Sequence, residues 1–224
     1  MTRRTYDRAL RALQDRVVVL GSVVQCAIVD SVAALKARDL SAARAIIAAD
    51  AAVNQKRFAI ESEALALIAT QQPMAADLRT LAAVLEIATE LERVGDYAKG
   101  IAKISLLIGE ARLIKPIIDL PRMAEKAADM LRRSLIAFIN RDVELARSIP
   151  LEDDEVDALY NQVYRELLTM IMANPSVTDQ ATYLLWAAHN LERAADRVTN
   201  ICERIVFAAT GIMAEMDVDD PGPS

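Results

Sequence analysis

The sequence predicts an all-α protein that is a tandem duplication of a three-helix bundle. Apolar residues recur at alternating spacings of three and four, which is the pattern of the buried seam of a packed helix. Glycine and proline are scarce, with 6 and 7 of 224 residues, and alanine, leucine, arginine and glutamate are common, which favours helices. The two halves of the chain also repeat each other motif by motif.

The composition limits the classes of function. Hydrophobic residues make up 54% of the chain, which excludes a disordered protein. The formal net charge of −6 argues against a nucleic-acid partner, because binding to phosphates needs a basic surface. Cys26 and Cys202 form no closely spaced pair, so we expect free thiols in a reducing compartment.

The amino-terminal region does not look like a secretion or membrane segment. Residues 1–16 are too charged to contain the apolar stretch of a signal peptide. The apolar run at 17–29 is short of the roughly 20 residues that a membrane-spanning helix needs, so we expect a buried core helix. A soluble cytoplasmic protein follows from these two observations.

The duplication defines the predicted domains. The matched segments begin at Arg38-Asp39-Leu40 and Arg141-Asp142-Val143, at Pro73 and Pro175, and at Leu91 and Leu191. We therefore predict a first three-helix bundle at 1–112 and a second at 116–213. A flexible acidic tail is expected at 214–224.

The helices of the first half can be placed in order. An apolar seam from Leu10 to Ala34 predicts the first helix. A break follows at Arg38-Asp39, where Asp39 is expected to cap a short second helix. A third helix is expected at 51–70, and Pro73 is expected to start a fourth segment that continues to 107. The second half should repeat this scheme at 124–140, 143–149, 155–172 and 179–210.

The most informative motif is Leu-Glu-Arg-x-x-Asp, which occurs at Leu91 and again at Leu191. Each copy sets two carboxylates four residues apart, so they share a helix face with Cβ atoms about 6 Å apart. Like charges at this spacing disfavour the helix unless something positive lies between them. The pairs Glu92/Asp96 and Glu192/Asp196 therefore suggest bound cations.

A second polar pair lies on the preceding helix of each half, at Asp50/Asn54 and at Asp153/Asp157. If these helices pack beside the motif helices, each half gathers an oxygen-rich site that suits Mg, Mn, Fe or Ca, with Zn also compatible. Because Asn54 replaces the acid found at Asp157, we expect the first half to bind metal ions less than the second.

Other interpretations remain open. The acids could be solvated faces or ion-pair partners, since Lys99 lies three residues after Asp96 and Arg193 three before Asp196. His189, the single histidine, is interpreted as a surface residue because Thr89 is its counterpart. A metal-dependent oxidase or hydrolase is an alternative, although a ferritin-like di-metal site would need Glu-x-x-His on two helices. A purely structural helical interaction protein is the other alternative.

The motifs in combination resemble the PhoU family over roughly residues 5–210. The residues that carry the resemblance are the two Leu-Glu-Arg-x-x-Asp copies, Gln72-Pro73-Met74-Ala75-Ala76-Asp77-Leu78-Arg79, the two Arg-Asp breaks, Asp153-x-x-Val156-Asp157-x-Leu159-Tyr160 and Asn200-Ile201-Cys202-Glu203.

The resemblance implies a cytoplasmic regulator of phosphate uptake and of the phosphate-starvation response. It implies two tandem three-helix bundles that act with an ABC-type phosphate importer and a phosphate-sensing histidine kinase, restraining both, without enzymatic activity. It also implies metal ions, in multinuclear iron or zinc clusters or as magnesium or manganese. We further expect a homodimer, no nucleic-acid partner, and contact with the membrane only through protein partners. By position, the implied metal ligands are Glu192, Asp196, Asp153, Asp157, Glu92, Asp96, Asp50 and Asn54.

Overall fold

A computed structural model describes residues 3–213 and 215–216 of the chain, and all regular structure in them is helical. The predicted all-α fold class is therefore confirmed. Short 3₁₀ turns at Pro150–Glu152 and Pro175–Val177 precede the last two long helices. The α-helices of the described residues are α1 (Arg3–Ala37), α2 (Leu40–Gln71), α3 (Ala75–Ile108), α4 (Asp119–Asn140), α5 (Val143–Ser148), α6 (Asp153–Ala173) and α7 (Thr178–Thr210).

The two bundles lie side by side. Helices α1, α2 and α3 pack together, as do α4 to α7, while α3 packs along α7 and α1 along α4 to join the halves. One continuous apolar core runs through both bundles. Helices α3 and α7 are antiparallel, because Glu86 at the start of α3 pairs with Arg204 near the end of α7 at 2.8 Å. Further along, Gly100 lies against Asn190.

The second helix differs from its prediction. We expected a short helix after Asp39 and a separate one at 51–70, but α2 is continuous from Leu40 to Gln71. This stretch contains no proline or glycine to interrupt it. In the second half Pro150 opens a 3₁₀ turn, and the chain divides there into α5 and α6. Helix α3 also begins at Ala75, two residues later than expected.

Equivalent turns start α2 and α5. Arg38 and Arg141 adopt left-handed backbone conformations, with φ of 58° and 53°. Asp39 Oδ1 then accepts hydrogen bonds from the backbone N–H of Ser41 at 3.0 Å and of Ala42 at 2.9 Å. The capping role predicted for Asp39 is present in the structure, because these bonds satisfy donors that the first helical turn leaves open.

Replacing this cap should weaken the fold measurably. Asp39→Ala is expected to lower the free energy of unfolding by about 1 kcal/mol, because two backbone donors lose their acceptor. Urea titrations of the wild type and the variant measure the difference. Asp30→Ala, at an exposed position inside α1, is the control and should stay within about 0.5 kcal/mol of the wild type. Equal stability of the two variants would contradict the capping role.

Helix α1 is longer and more apolar than the run at 17–29 suggested. It holds an 18-residue window with a mean hydropathy of 2.0, so by length and composition alone it could cross a membrane. In the structure 44% of that window is buried inside the protein. Leu13, Val17, Leu20 and Val24 are fully buried in the common core, as expected for a core helix.

The predicted acidic tail at 214–224 falls mainly on residue 214 and residues 217–224, which lie outside the described residues. Within the described part, the backbone N–H of Met216 donates to Glu203 Oε1 at 2.9 Å. This bond holds residue 216 against α7.

Candidate metal centres

The second half brings three of its four predicted acids, Asp157, Glu192 and Asp196, near one another where α6 packs on α7. We call Asp153, Asp157, Glu192 and Asp196 the second acidic cluster. Burial, followed by the carboxylates of Asp196 and Asp157, raises the pKa of Glu192 to about 7, against the opposing effect of Arg193 and Arg197. Asp157 of α6 therefore faces the Glu192/Asp196 pair of α7. Asp153, one turn before Asp157, buries its Oδ1 atom.

Two further side chains border Glu192. His189 Nδ1 lies 3.1 Å from Glu192 Oε2, although the orientation forms no hydrogen bond. The ring of Tyr160, on α6, lies 6.0 Å from the His189 ring. Burial raises the pKa of Tyr160, as does the nearby Glu192. His189, interpreted from the sequence as an ordinary surface residue, is thus half-exposed but adjacent to the cluster, and Tyr160 was not foreseen as a neighbour.

The first half also brings its predicted residues together, here between α2 and α3. We call Asp50, Asn54, Glu92 and Asp96 the first acidic cluster. Asp50 is only 8% exposed, and its Oδ2 accepts from Lys99 Nζ at 2.5 Å and from Asn54 Nδ2 at 3.4 Å. Lys99 Nζ also lies 3.5 Å from Asp96 Oδ1. An ammonium group therefore sits between the acids of the two helices.

Glu92 completes this first cluster. Its pKa is raised by burial, then by Asp96, and further by Asp50, while Arg57 of α2 opposes these effects. Arg57 is also paired with Glu61 at 2.8 Å. The first cluster thus has three cationic neighbours, Lys99 and Arg93 on α3 and Arg57 on α2.

The positions of Lys99 and Arg57 hold neutral residues in the second half, whereas Arg93 has the matched Arg193. Thr199 matches Lys99 and Tyr160 matches Arg57 in the internal repeat. Thr199 is buried, and its Oγ1 forms no hydrogen bond within the described residues. Carboxylates are hard oxygen donors of the kind that would suit Mg, Mn, Fe or Zn, and the cations that act on Glu192 are Arg193 and Arg197 of its own helix. The first cluster does not fit a metal ion in this form, because an ammonium already lies among its oxygens.

The acids are neighbours rather than a finished coordination shell. Among residues 3–213 and 215–216, no three histidine, cysteine, aspartate or glutamate side chains lie close enough together to hold a single ion. Ion binding by the second acidic cluster would therefore require its side chains to move toward each other. Rotation about side-chain torsions can supply such movement at partly exposed positions such as Glu192, which is 23% exposed.

The arginine of the second motif, Arg193, lies at the contact between the bundles. Arg193 reaches across to α3, where its guanidinium lies 5.9 Å from the centre of the Tyr97 ring. Arg93 Nη1 pairs with Glu90 Oε1 at 2.9 Å. Glu90 also lies 3.5 Å from Arg197 of α7. Arg193 and Arg197 thus contact α3 from α7, and both also lie near enough to Glu192 to lower its pKa.

Comparison with known proteins identifies the family. The chain matches the PhoU domain twice, at residues 17–105 and at 120–205. The chain belongs to the PhoU family. The resemblance predicted from the motifs is confirmed, and so is the tandem repeat of a helical bundle.

Relatives within the PhoU family match over most of their length. A phosphate-specific transport system accessory protein PhoU homolog of Caulobacter vibrioides is 38% identical over 211 residues, covering 94% of this chain and 92% of the relative. One of Rhizobium meliloti, with the same name, is 37% identical over 207 residues, covering 92% and 87%.

Two solved PhoU structures show the same architecture. The phosphate transport system regulatory protein PhoU from Streptococcus pneumoniae aligns with a TM-score of 0.86 and 32% identity, covering 93% of this chain and 99% of that one. PhoU from Pseudomonas aeruginosa aligns with a TM-score of 0.88 and 27% identity, covering 92% and 100%. The side-by-side bundles are thus shared with both proteins.

Proposed function

We propose that this protein regulates phosphate uptake and the phosphate-starvation response, without catalysis of its own. The observation that carries the proposal is the match to phosphate-specific transport accessory proteins at up to 38% identity over 94% of the chain. Because the match covers both bundles, the similarity is to the whole accessory protein and not to a single shared domain.

The proposed mode of action is that of an adaptor in the cytoplasm. The protein would bind components of an ABC-type phosphate importer and a phosphate-sensing histidine kinase, restraining both when phosphate is plentiful. It would act as a homodimer and reach the membrane through these partners. The net charge of −6 supports protein partners over nucleic acid, since an acidic surface repels phosphates.

Metal binding by the second acidic cluster is the other part of the proposal. Glu192 and Asp196 of α7 would hold the ion together with Asp153 and Asp157 of α6. Support comes from the partly buried Glu192, whose pKa is raised to about 7 by burial and by its acidic neighbours. A divalent or trivalent ion, Fe or Zn, or else Mg or Mn, would neutralise these carboxylates. The acids on α6 and α7 would then hold the two helices together and shape the surface beside them.

The metal assignment can be tested by elemental analysis. Protein purified without chelators or metal-affinity steps is expected to contain bound metal, and Glu192→Gln/Asp196→Asn should reduce its amount at least severalfold. The matched control is Glu125→Gln/Asp30→Asn, which makes the same change of charge at exposed positions. An unchanged metal content in the first variant would refute the assignment.

The regulatory role is tested in cells. A strain lacking the gene is expected to take up phosphate and express a phosphate-starvation reporter even in rich phosphate, and the wild-type chain should restore repression. Restoration by the control variant and not by Glu192→Gln/Asp196→Asn would link metal to regulation. Iron-dependent oxygen consumption by the purified protein, absent from that variant, would instead indicate an oxidase.

A further inference from the structure

We infer that Lys99 is a built-in cation that takes the place of a metal ion in the first acidic cluster. The chain would then have one metal centre, in the second half, and one permanently neutralised cluster, in the first. This inference rests on the proposed metal site in the second half, and it explains how two copies of one motif acquired different roles.

The geometry places Lys99 where a bound cation would be needed. Its Nζ atom contacts Asp50 of α2 at 2.5 Å and Asp96 of its own helix at 3.5 Å. It therefore bridges the same two helices whose acids would otherwise have to be joined by a metal. Asp50 is 8% exposed, whereas Lys99 is 26% exposed and extends its charge inward to the acid. A second cation beside the ammonium would be repelled by it.

The internal repeat shows that this arrangement belongs to the first half alone. At three matched positions the first half has Lys99, Arg57 and Asn54, where the second has Thr199, Tyr160 and Asp157. Each of these three differences makes the second cluster more negative than the first. In the first cluster an ammonium contacts two of the acids directly, whereas the matched position in the second half holds the neutral Thr199.

Arginines do not cancel this contrast. Arg93 and Arg193 occupy matched positions in the two motifs. Arg197, whose counterpart in the first half is Tyr97, is paired with Glu90 across the contact between α3 and α7. Arg193 and Arg197 lower the pKa of Glu192 from their own helix, as Arg93 does for Glu92, but the position matched to Lys99 holds the neutral Thr199.

An alternative explanation is that Lys99 forms an ordinary ion pair in a cluster that could still accept metal. The two explanations differ in what happens when the lysine is removed. If Lys99 takes the place of a metal, its replacement by the threonine of the second half should convert the first cluster into a metal site. If it is only an ion pair, the replacement should create no site.

The test measures metal binding by the first acidic cluster alone. In a full-length background carrying Glu192→Gln/Asp196→Asn, the protein stripped of metal is dialysed against Mn²⁺ as the probe. We expect no bound Mn²⁺ in the background, and about one equivalent after adding Lys99→Thr/Asn54→Asp. The matched control adds Lys103→Thr/Asn54→Asp, because Lys103 is exposed on the same helix and outside the cluster. This control should bind no more than the background.

Thermal unfolding guards against a variant that fails to fold. Lys99→Thr/Asn54→Asp should melt at a lower temperature than the background in chelator, and Mn²⁺ should raise its Tm while leaving the Tm of the Lys103 control unchanged. The inference is overturned if the background with Lys99 intact binds Mn²⁺ equally tightly. It is also overturned if the folded Lys99→Thr/Asn54→Asp protein binds none and shows no rise in Tm.

The same experiment separates the inference from the proposed function. Wild-type protein that takes up no Mn²⁺, Fe²⁺ or Zn²⁺ would refute the metal site in the second half. A gain of Mn²⁺ by Lys99→Thr/Asn54→Asp would still uphold the role of Lys99. If the wild type binds metal but Lys99→Thr/Asn54→Asp gains no Mn²⁺, the metal site in the second half stands and the role inferred for Lys99 is refuted.

Discussion

In metal-free protein, Glu192 is expected to cost the folded state up to about 3 kcal/mol of stability as the pH rises from 4.5 to 7, and Glu192→Gln is expected to remove this contribution. The pKa of Glu192 is raised from 4.5 to about 7, first by burial and then by Asp196 and Asp157. In the unfolded chain this carboxyl ionises near pH 4.5, whereas in the folded chain it is half ionised only at about pH 7. Between these values the folded state binds more protons, so its stability falls as the pH rises.

The size of the effect follows from the shift. Each unit of pKa corresponds to about 1.4 kcal/mol, and the stabilisation is fully present below pH 4.5 and fully lost above pH 7. A glutamine side chain mimics the protonated form at every pH. Glu192→Gln should therefore match the wild type at pH 4 and exceed it by up to about 3 kcal/mol at pH 8.

Urea unfolding in chelator across this pH range measures the difference. Glu125→Gln is the control, because Glu125 is exposed, and its stability should follow that of the wild type throughout. Parallel pH curves for Glu192→Gln and the wild type would contradict a buried, proton-retaining Glu192. Metal should reverse the sign of the effect, because ions bind the ionised carboxylate and only the wild type provides it at this position.

The fold could be predicted from the sequence because helix formation and duplication leave local traces. The apolar seam of α1 and the paired motifs at Leu91 and Leu191 are visible without any tertiary information. The division of the second helix was predicted wrongly for a physical reason. The two halves were assumed to break at matched positions, yet the first half has Ile47 where the second has Pro150, and the proline marks the break.

The candidate sites were only partly predictable. Carboxylates four residues apart must share a helix face, and consecutive helices of a bundle pack together, so the grouping of Asp50 with Glu92 was accessible. The rotation of each helix about its axis, which decides which side chains meet across the contact, could not be predicted. Lys99 could be paired with Asp96 from its spacing, but its shorter contact is to Asp50 on another helix. Comparison of Lys99 with Thr199 in the repeat would have indicated the asymmetry.

Lys99→Met is expected to lower the free energy of unfolding by about 2 kcal/mol, because it leaves the buried Asp50 carboxylate without its counter-ion. Removing one partner of a fully buried ion pair costs about 3–5 kcal/mol. We expect less here because Lys99 is 26% exposed, so water partly screens the charge that remains. Asn54 Nδ2, at 3.4 Å from Asp50 Oδ2, can compensate only weakly.

A double-mutant cycle separates the ion pair from simple loss of packing. Asp50→Asn/Lys99→Met removes both charges while keeping side chains of similar size, and it should cost less than about 1 kcal/mol relative to the wild type. Urea unfolding of the wild type, both single variants and the double variant gives the coupling energy. Lys103→Met, at an exposed site on the same helix, is the control and should stay within about 0.5 kcal/mol.

The coupling energy between Lys99 and Asp50 should not change over the pH range in which the contribution of Glu192 to stability does. The hydrogen bond to Asp50 raises the pKa of Lys99 above 10.5, with further support from the charges of Asp50 and Asp96. Lys99 therefore stays charged at neutral pH, and its stabilising contribution is present below pH 10.5 and lost only as the pH rises through the folded pKa. The coupling should thus be equal at pH 6 and pH 8, where the cost of ionising Glu192 changes. A coupling near zero at both values would mean that Asp50 is stabilised by other groups, and that Lys99 does not neutralise the first cluster.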